Sequence, residues 1–193
     1  MKIRRRPGEL KATLVRAALE LLDTGGVEAV TIRATARKAG VSHAAPVNHF
    51  PDLRALLTAV AIHCFAELKQ SIADTDFQNL PNARDQVLAF SDAFHAYGLA
   101  NPNRYRLMWR RDKLDETDTT LNGMTDSLFY DFVTKTVRKF GDPSGVSVMS
   151  RVVAVCSVIH GYVLLRIDGN FQGNLDEKTG QPRHLAIIEA LLS

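Results

Sequence analysis

The sequence predicts an all-α fold: an N-terminal three-helix bundle holding a helix-turn-helix, then a larger helical domain, with about nine helices in all. Three observations lead there. Apolar residues recur at spacings of three and four along nearly the whole chain, and no strand-like alternation interrupts them. The stretch TIRATARKAGVSHAAPVNHF, residues 31–50, reads as two short helices around a tight turn. Positive charge gathers in the same third: residues 1–60 carry ten Lys or Arg against five acids, and the remainder fourteen against sixteen. That imbalance favours a polyanionic partner for the N-terminal third.

With 193 residues the chain can bury a real core and make one or two small domains. No continuous apolar run approaches the roughly 20 residues of a membrane span, and the basic N-terminus lacks the apolar segment of a signal peptide. A cytoplasmic location is therefore expected. Cys64 and Cys156 lie inside apolar helical patterns, where a buried reduced thiol is the ordinary reading.

A first helix is expected from Gly8 to Thr24, because Leu10, Leu14, Ala17, Ala18 and Leu21 share a face and Gly25-Gly26 stops it. The basic arm ahead of it, with Arg4, Arg5 and Arg6, either reaches a phosphate backbone or minor groove or is a solvated tail. A second helix runs from its cap Thr31 to Ala39, with Ile32, Ala36 and Ala39 on one face. Gly40 supplies the turn, and Ser42 caps a recognition helix over residues 42–48. Pro46 removes a hydrogen bond from so short a helix and loosens its first turn. A fourth helix starts at Pro51-Asp52 and keeps its period through Leu53, Leu56, Leu57, Val60, Cys64, Phe65 and Leu68.

A fifth helix opens at Pro81 or Asn82 and carries Val87, Phe90, Phe94 and Tyr97 as far as Asn101-Pro102; a short sixth covers residues 102–111. The seventh holds Leu121, Met124, Leu128, Phe129, Phe132 and Val133 before Gly141-Asp142-Pro143 breaks it. The eighth, residues 144–167, is apolar over most of its circumference, and a ninth follows the Gly-rich loop 168–182 with Leu185, Ile187, Ile188, Leu191 and Leu192. Apolar residues crowded at a terminus suit docking against a second copy of the chain. Residues 1–51 are expected to form the DNA-binding domain and residues 52–193 a second domain suited to dimerisation, to which the family resemblance given below adds effector binding.

Within the helix-turn-helix, Arg33, Ser42, His43, Asn48 and His49 are free to face outward, while Ala44, Ala45, Val47 and Asn48 make a small, mostly apolar reading face. Thymine methyls suit such a face, and the Asn48 amide suits adenine. Elsewhere, Cys156 and His160 stand four apart on one helix, the spacing of a two-ligand metal face, with His63-Cys64 and His95 as possible completions. A second motif of ligand spacing is lacking, so a packed or pocket-lining His160 is the favoured reading and no metal or cofactor is expected. Nucleophilic catalysis by Cys156 would need a third, orienting group that nothing singles out, and the chain is not expected to be an enzyme.

The amphipathic helix ending at Gly25-Gly26, the Thr31-Ile32-Arg33 start, the turn Ala39-Gly40-Val41-Ser42 and the exit His49-Phe50-Pro51 resemble the TetR family of bacterial transcriptional regulators. His43-Ala44-Ala45-Pro46, the segment Asn101-Pro102 to Arg106-Leu107-Met108, and His160-Gly161 are similar to one branch of it, with a Trp-x-x-x-His-Gly signature in the C-terminal domain. The resemblance implies a homodimer paired through its last two helices, an operator DNA partner, and a small-molecule effector that releases a repressor. It also implies an effector cavity among bulky C-terminal residues, from the set Phe65, Phe90, Phe94, His95, Tyr97, Arg106, Met108, Trp109, Met124, Phe129, Cys156 and His160, with His95, His160 and Arg106 as polar contacts. Three departures stand out. Val47 replaces a Tyr, Leu53 a Lys and Cys156 the signature Trp. Losing two phosphate contacts leaves Arg54, Thr31, Arg33 and the basic arm to supply them. The alternative is a ligand-binding protein of the same fold whose specific DNA binding is weakened or lost.

Overall fold

The computed structural model describes residues 7–75, 79–140 and 145–192, and the side chains of all of these except 7, 129–133 and 140. Among them are nine α-helices: α1 (Pro7–Gly25), α2 (Ile32–Lys38), α3 (Leu53–Ala73), α4 (Ala83–Ala100), α5 (Pro102–Met108), α6 (Thr119–Thr125), α7 (Phe132–Val137), α8 (Val148–Ile167) and α9 (Arg183–Leu192). An isolated bridge between Leu175 and Pro182 is the extent of β structure in the described residues. The all-α expectation holds. The chain divides into two compact units, one of residues 1–65 with 101–122, the other of 66–100 with 123–193.

In the first unit α1 buries Leu14, Ala18 and Leu22, a stripe at four-residue spacing, and packs on α2 and α5. A side chain at Gly25 would put its Cβ 2.7 Å from Ala29, so the chain needs glycine to turn there. Thr31 caps α2 as expected, its Oγ1 accepting from the Ala34 amide at 3.0 Å. At the other end Gly40 takes φ +65°, its N–H donates to the Arg37 carbonyl (3.1 Å) and the Val41 N–H reaches back to the Ala36 carbonyl (3.0 Å). This double closure is the Schellman arrangement, which a left-handed glycine allows at little cost.

The recognition helix expected over residues 42–48 is not an α-helix. A turn covers residues 43–45, and Pro46–Asn48 is a single 3₁₀ turn. Pro46 has no N–H to donate back to Ser42, so the first α bond is impossible. The chain closes instead with Ala45 N–H to the Ser42 carbonyl (3.0 Å) and with His49 and Phe50 N–H to the Pro46 carbonyl (2.9 and 2.8 Å). Ser42 therefore contributes its carbonyl where a hydroxyl cap was expected. Pro46 and Phe50 are buried and hold the turn against the bundle, with the Lys11 ammonium 5.7 Å from the Phe50 ring centre.

Asp52 caps α3 through the Ala55 amide (2.8 Å), and Leu56, Leu57, Val60, Ala61, Cys64 and Phe65 are buried along it. Residues 101–122 complete this unit: Tyr105, Leu107, Met108, Leu114 and Leu121 are buried, Phe65 meets Trp109 edge-on at 5.5 Å, and Arg104 forms a bidentate pair with Asp23 (2.7 and 2.6 Å). The predicted sixth helix is shorter than expected, since α5 stops at Met108 and a 3₁₀ turn follows at Arg111–Lys113.

In the second unit α4 packs on α7, α8 and α9, with Val87, Phe90, Phe94, Val152, Val155, Ile159, Val163 and Ile188 as its core. The single helix expected from Leu121 to Val133 is instead α6, a π turn over Asp126–Asp131, and α7. The wide turn shifts the helical phase, and among the side chains described along this stretch the buried apolar ones are Leu121, Leu128 and Val137. A constant 3.6-residue period cannot reveal such a phase change.

One expectation about apolar runs is corrected. By length and composition α8 is a helix apolar enough to cross a membrane, with mean hydropathy 1.8 over its most apolar window. Its residues Ser150, Arg151, Ser157, His160, Gly161 and Arg166 break the run of apolar letters. It packs on α4, α7 and α9 and buries Val152, Val155, Ile159 and Val163 in this unit.

Replacing Gly40 with Ala forces a left-handed β-carbon-bearing residue at φ +65°, with nothing within 4 Å to clash. Pure backbone strain of about 1–2 kcal/mol is expected. Urea unfolding of Gly40→Ala against the parent protein measures it.

Candidate nucleic-acid interface and effector cleft

The turn that replaces the recognition helix still presents a coherent face. Ser42, His43, Ala44, Val47 and Asn48 are exposed, whereas Ala45 and His49 are half-buried flanks. Arg33 and Arg37, four apart on α2, are exposed beside them, and neither guanidinium makes an ion pair or hydrogen bond with a described residue. Arg37 was not among the expected contacts, although its spacing from Arg33 was the available signal. Lys38 is paired with Glu20 at 2.9 Å. Two unpaired guanidinium groups next to a polar and methyl-bearing turn suit a phosphate backbone flanking base edges.

Arg54 is committed elsewhere. Its Nη1 and Nη2 atoms donate to the carbonyls of Leu114 (2.7 Å) and Asp112 (3.2 Å), while Thr58 Oγ1 accepts from the Asp115 amide at 2.9 Å. The expectation that Arg54 replaces a lost phosphate contact meets a side chain already holding residues 112–114. Val47 and Leu53 are 57% and 36% exposed, so the apolar replacements lie on the surface where polar groups had been expected. Thr31 spends its hydroxyl on the α2 cap. Arg4, Arg5 and Arg6 lie outside the described residues.

The sequence comparisons agree with this arrangement. Residues 14–60 match the family described as bacterial regulatory proteins, tetR family, and residues 87–187 match the tetracyclin repressor-like C-terminal domain. The chain belongs to the TetR family. It is 36% identical over 98 residues to the class A tetracycline repressor of transposon 1721 from Escherichia coli, across 47% of this chain and 45% of that protein, so the match spans under half the relative's length. It is 25% identical over 162 residues to the HTH-type transcriptional regulator YobS of Bacillus subtilis, covering 83% of this chain and 80% of that one. Among solved structures, a protein of unknown function from Rhodococcus sp. RHA1 shares the fold at a TM-score of 0.79 and 24% identity, over 99% and 97% of the two chains. Members of the TetR family are transcriptional regulators, and ligand-responsive repression is typical of them.

The residues expected to line an effector cavity are divided between the two units. Phe65, Arg106, Met108 and Trp109 belong to the first unit; Phe90, Phe94, His95, Tyr97, Met124, Cys156 and His160 to the second; the Phe129 side chain is outside the described set. Phe65, Phe90, Phe94 and Met108 are fully buried packing residues, and Tyr97 donates its hydroxyl to Glu67 (3.2 Å).

A shallow cleft without room for a water molecule lies where α4, α8 and α9 meet, lined by Ser91, His95, Ile159, Tyr162, Val163, His184, Ile187 and Ile188. Of these the sequence pointed only to His95. His184 is buried, its Nε2 2.8 Å from Asp92 Oδ1, and its ring stacks on His95 at 4.0 Å and 10°. Tyr162 stacks on the other side of His95 at 5.9 Å, and Phe171 on Tyr162 at 6.5 Å. The His95 Nε2 atom is buried and meets no donor or acceptor among the described residues. Such a group costs about 1–3 kcal/mol against a paired one. Burial first, then the neighbouring His184 and Arg166, hold the His95 pKa down to about 4, against a smaller opposing pull from Asp92.

Burial likewise pushes the Cys156 thiol up to about 12 and lowers His160. A thiol so protonated is a poor nucleophile at neutral pH, which argues against catalysis at this pair. Among the described residues no three His, Cys, Asp or Glu side chains converge as metal ligands.

The depressed His95 pKa sets a pH dependence. Between about 6.5 and about 4 the unfolded chain binds a proton that the folded one does not, so the stability contributed by neutral His95 is present above this window and lost as pH falls through it. Urea midpoints of the parent protein should fall across that range, and His95→Asn should flatten the fall.

Proposed function

We propose that this TetR-family chain is a ligand-responsive, DNA-binding repressor, released from its operator by a small molecule. The observation that carries the reading is the exposed face of Ser42, His43, Ala44, Val47 and Asn48 beside the unpaired Arg33 and Arg37. Residues 1–51 serve as the DNA-binding domain, and residues 52–193 bind the effector and dimerise in the cytoplasm; His43-Ala44-Ala45-Pro46 and His160-Gly161 support membership of the branch with the His-Gly signature. The partner copy docks on α8 and α9. Met149, Val153 and Leu165 of α8 and Leu191 of α9 are each more than 40% exposed in the single chain, which supports a second copy as their cover. Two reading turns then meet successive major grooves roughly 34–36 Å apart. An effector preferring one state changes that separation and lowers operator affinity through its differential binding.

A gel shift with the chain's own upstream region against random duplex at physiological salt tests this reading, and equal affinity for both overturns it. Arg33→Ala should weaken binding to all sequences and reduce the salt-dependence slope by about 1, whereas Arg54→Ala should act mainly on stability, through the freed Leu114 and Asp112 carbonyls.

The exposed Val47 and Leu53, with Arg54 turned inward, favour one second reading: a ligand-binding protein of this fold without specific DNA affinity. On that reading Val47→Tyr with Leu53→Lys creates operator binding that the parent lacks. A parent protein that already discriminates its operator removes it.

A further inference from the structure

We propose that Lys11 of α1 binds a DNA backbone phosphate at the exit of the reading turn, in place of the lysine that the family resemblance puts at position 53. The inference rests on the DNA-binding reading above and adds to it a residue on α1. Three observations carry it. Lys11 is exposed, and its ammonium lies 5.7 Å from the centre of the Phe50 ring, within the range of a cation–π contact. Phe50 is 2% exposed and closes the turn, its N–H bonded to the Pro46 carbonyl at 2.8 Å. The ring is thus a seated platform, and the cation over it is held at the edge of the reading face.

The second observation concerns the donors. The Lys11 ammonium makes no ion pair or hydrogen bond with a described residue, whereas Lys38, the other described lysine among residues 1–60, has its charge met by Glu20 at 2.9 Å. A ring face attracts the charge and leaves the three N–H donors of an ammonium to be used, and a phosphate oxygen is the acceptor that suits them. A side chain already held over a ring also loses less rotamer freedom when a phosphate arrives.

The third is placement. Lys11 and Glu20 are nine residues apart on α1, about 13 Å along its axis. Glu20 meets Lys38 at the end of α2, where the turn begins, and Lys11 meets Phe50, where it ends. Helix α1 therefore runs alongside the turn from entry to exit. Arg33 and Arg37 precede the turn on α2, and Lys11 stands at its exit, so free cations bracket it. A major groove about 12 Å wide has a phosphate strand on either side, and a turn seated in it with cations at both ends can meet both strands. The start of α3 supplies no such charge: Leu53 is apolar, and Arg54 is committed to the Leu114 and Asp112 carbonyls. Asp52, the acid at that end, spends a carboxylate oxygen on the Ala55 amide.

The experiment measures binding of the full chain to two duplexes, its own upstream region and a random sequence, between about 50 and about 200 mM salt. Lys11→Gln should weaken binding to both, by about threefold or more at the low-salt end, and lower the slope of log K against log salt by about 1 per bound subunit. Lys11→Arg keeps the charge and should keep the parent's slope. Lys178→Gln removes an equal charge from an exposed loop residue and should leave slope and affinity unchanged. Circular dichroism and urea midpoints check that each variant folds as the parent does. An unchanged slope in Lys11→Gln, an equal loss in Lys178→Gln, or a loss confined to the upstream duplex overturns the proposal. The outcomes also separate it from the reading it rests on. A parent that prefers its upstream region, with a slope lowered by Arg33→Ala and untouched by Lys11→Gln, sinks this contact alone. A parent that binds both duplexes equally, with a slope that Lys11→Gln lowers, sinks the specific repressor and keeps the contact, and one that binds neither duplex overturns both.

Discussion

The return of residues 101–122 into the N-terminal unit is the constraint on which the DNA-facing half depends. Arg54, at the start of α3, holds the carbonyls of Leu114 and Asp112; Thr58, one turn on, receives the Asp115 amide; Arg104 grips Asp23 at the end of α1 through both guanidinium arms. Each bond closes a long loop of chain, and the charge-assisted ones are stronger than neutral pairs. Beneath them Tyr105, Leu107, Met108 and Leu114 are removed from water together with Phe65. The α1–α2–α3 arrangement is thus buttressed by a segment distant in sequence, and the cost is a guanidinium that the surface no longer has.

The reading turn shows the same competition between local and global demands. Proline at position 46 forbids the first α bond of a helix only seven residues long, yet its ring and Phe50 are buried, so the turn is held by packing where hydrogen bonds are few. What faces outward is a compact set of short side chains. The proposed reading by methyl contact and one amide needs close approach, which a short, tightly seated turn flanked by guanidinium groups suits.

In the second unit the polar content is concentrated at one junction. His95, Tyr162 and His184 come from three helices and form a stack of rings, and His184 is hydrogen-bonded to Asp92. The core around them is aliphatic and aromatic. Asp92 is largely exposed, whereas the Nε2 atom of His95 is buried without a partner among the described residues, and burial penalises a polar atom left unmet.

Helix positions, the Thr31 cap, the Gly40 closure and the basic bias of the front third were legible in the sequence, because each is written in residues within four or five positions of one another. Proline at 46 announced a loosened turn, though not the loss of the α-helix, since the burial that stabilises the 3₁₀ turn comes from outside it. The expected effector cavity was chosen by side-chain size, and size equally describes packing: Phe65, Phe90 and Phe94 are buried as core. Pairing across 92 residues, as between Asp92 and His184, and the capture of Arg54 by carbonyls 58 and 60 residues away leave no local trace. Short-range periodicity and turn chemistry determined the framework, and short motifs within it carried the family resemblance; which charges stay exposed was decided only when distant helices met, because an ion pair or hydrogen bond depends on distance in space and not on separation along the chain.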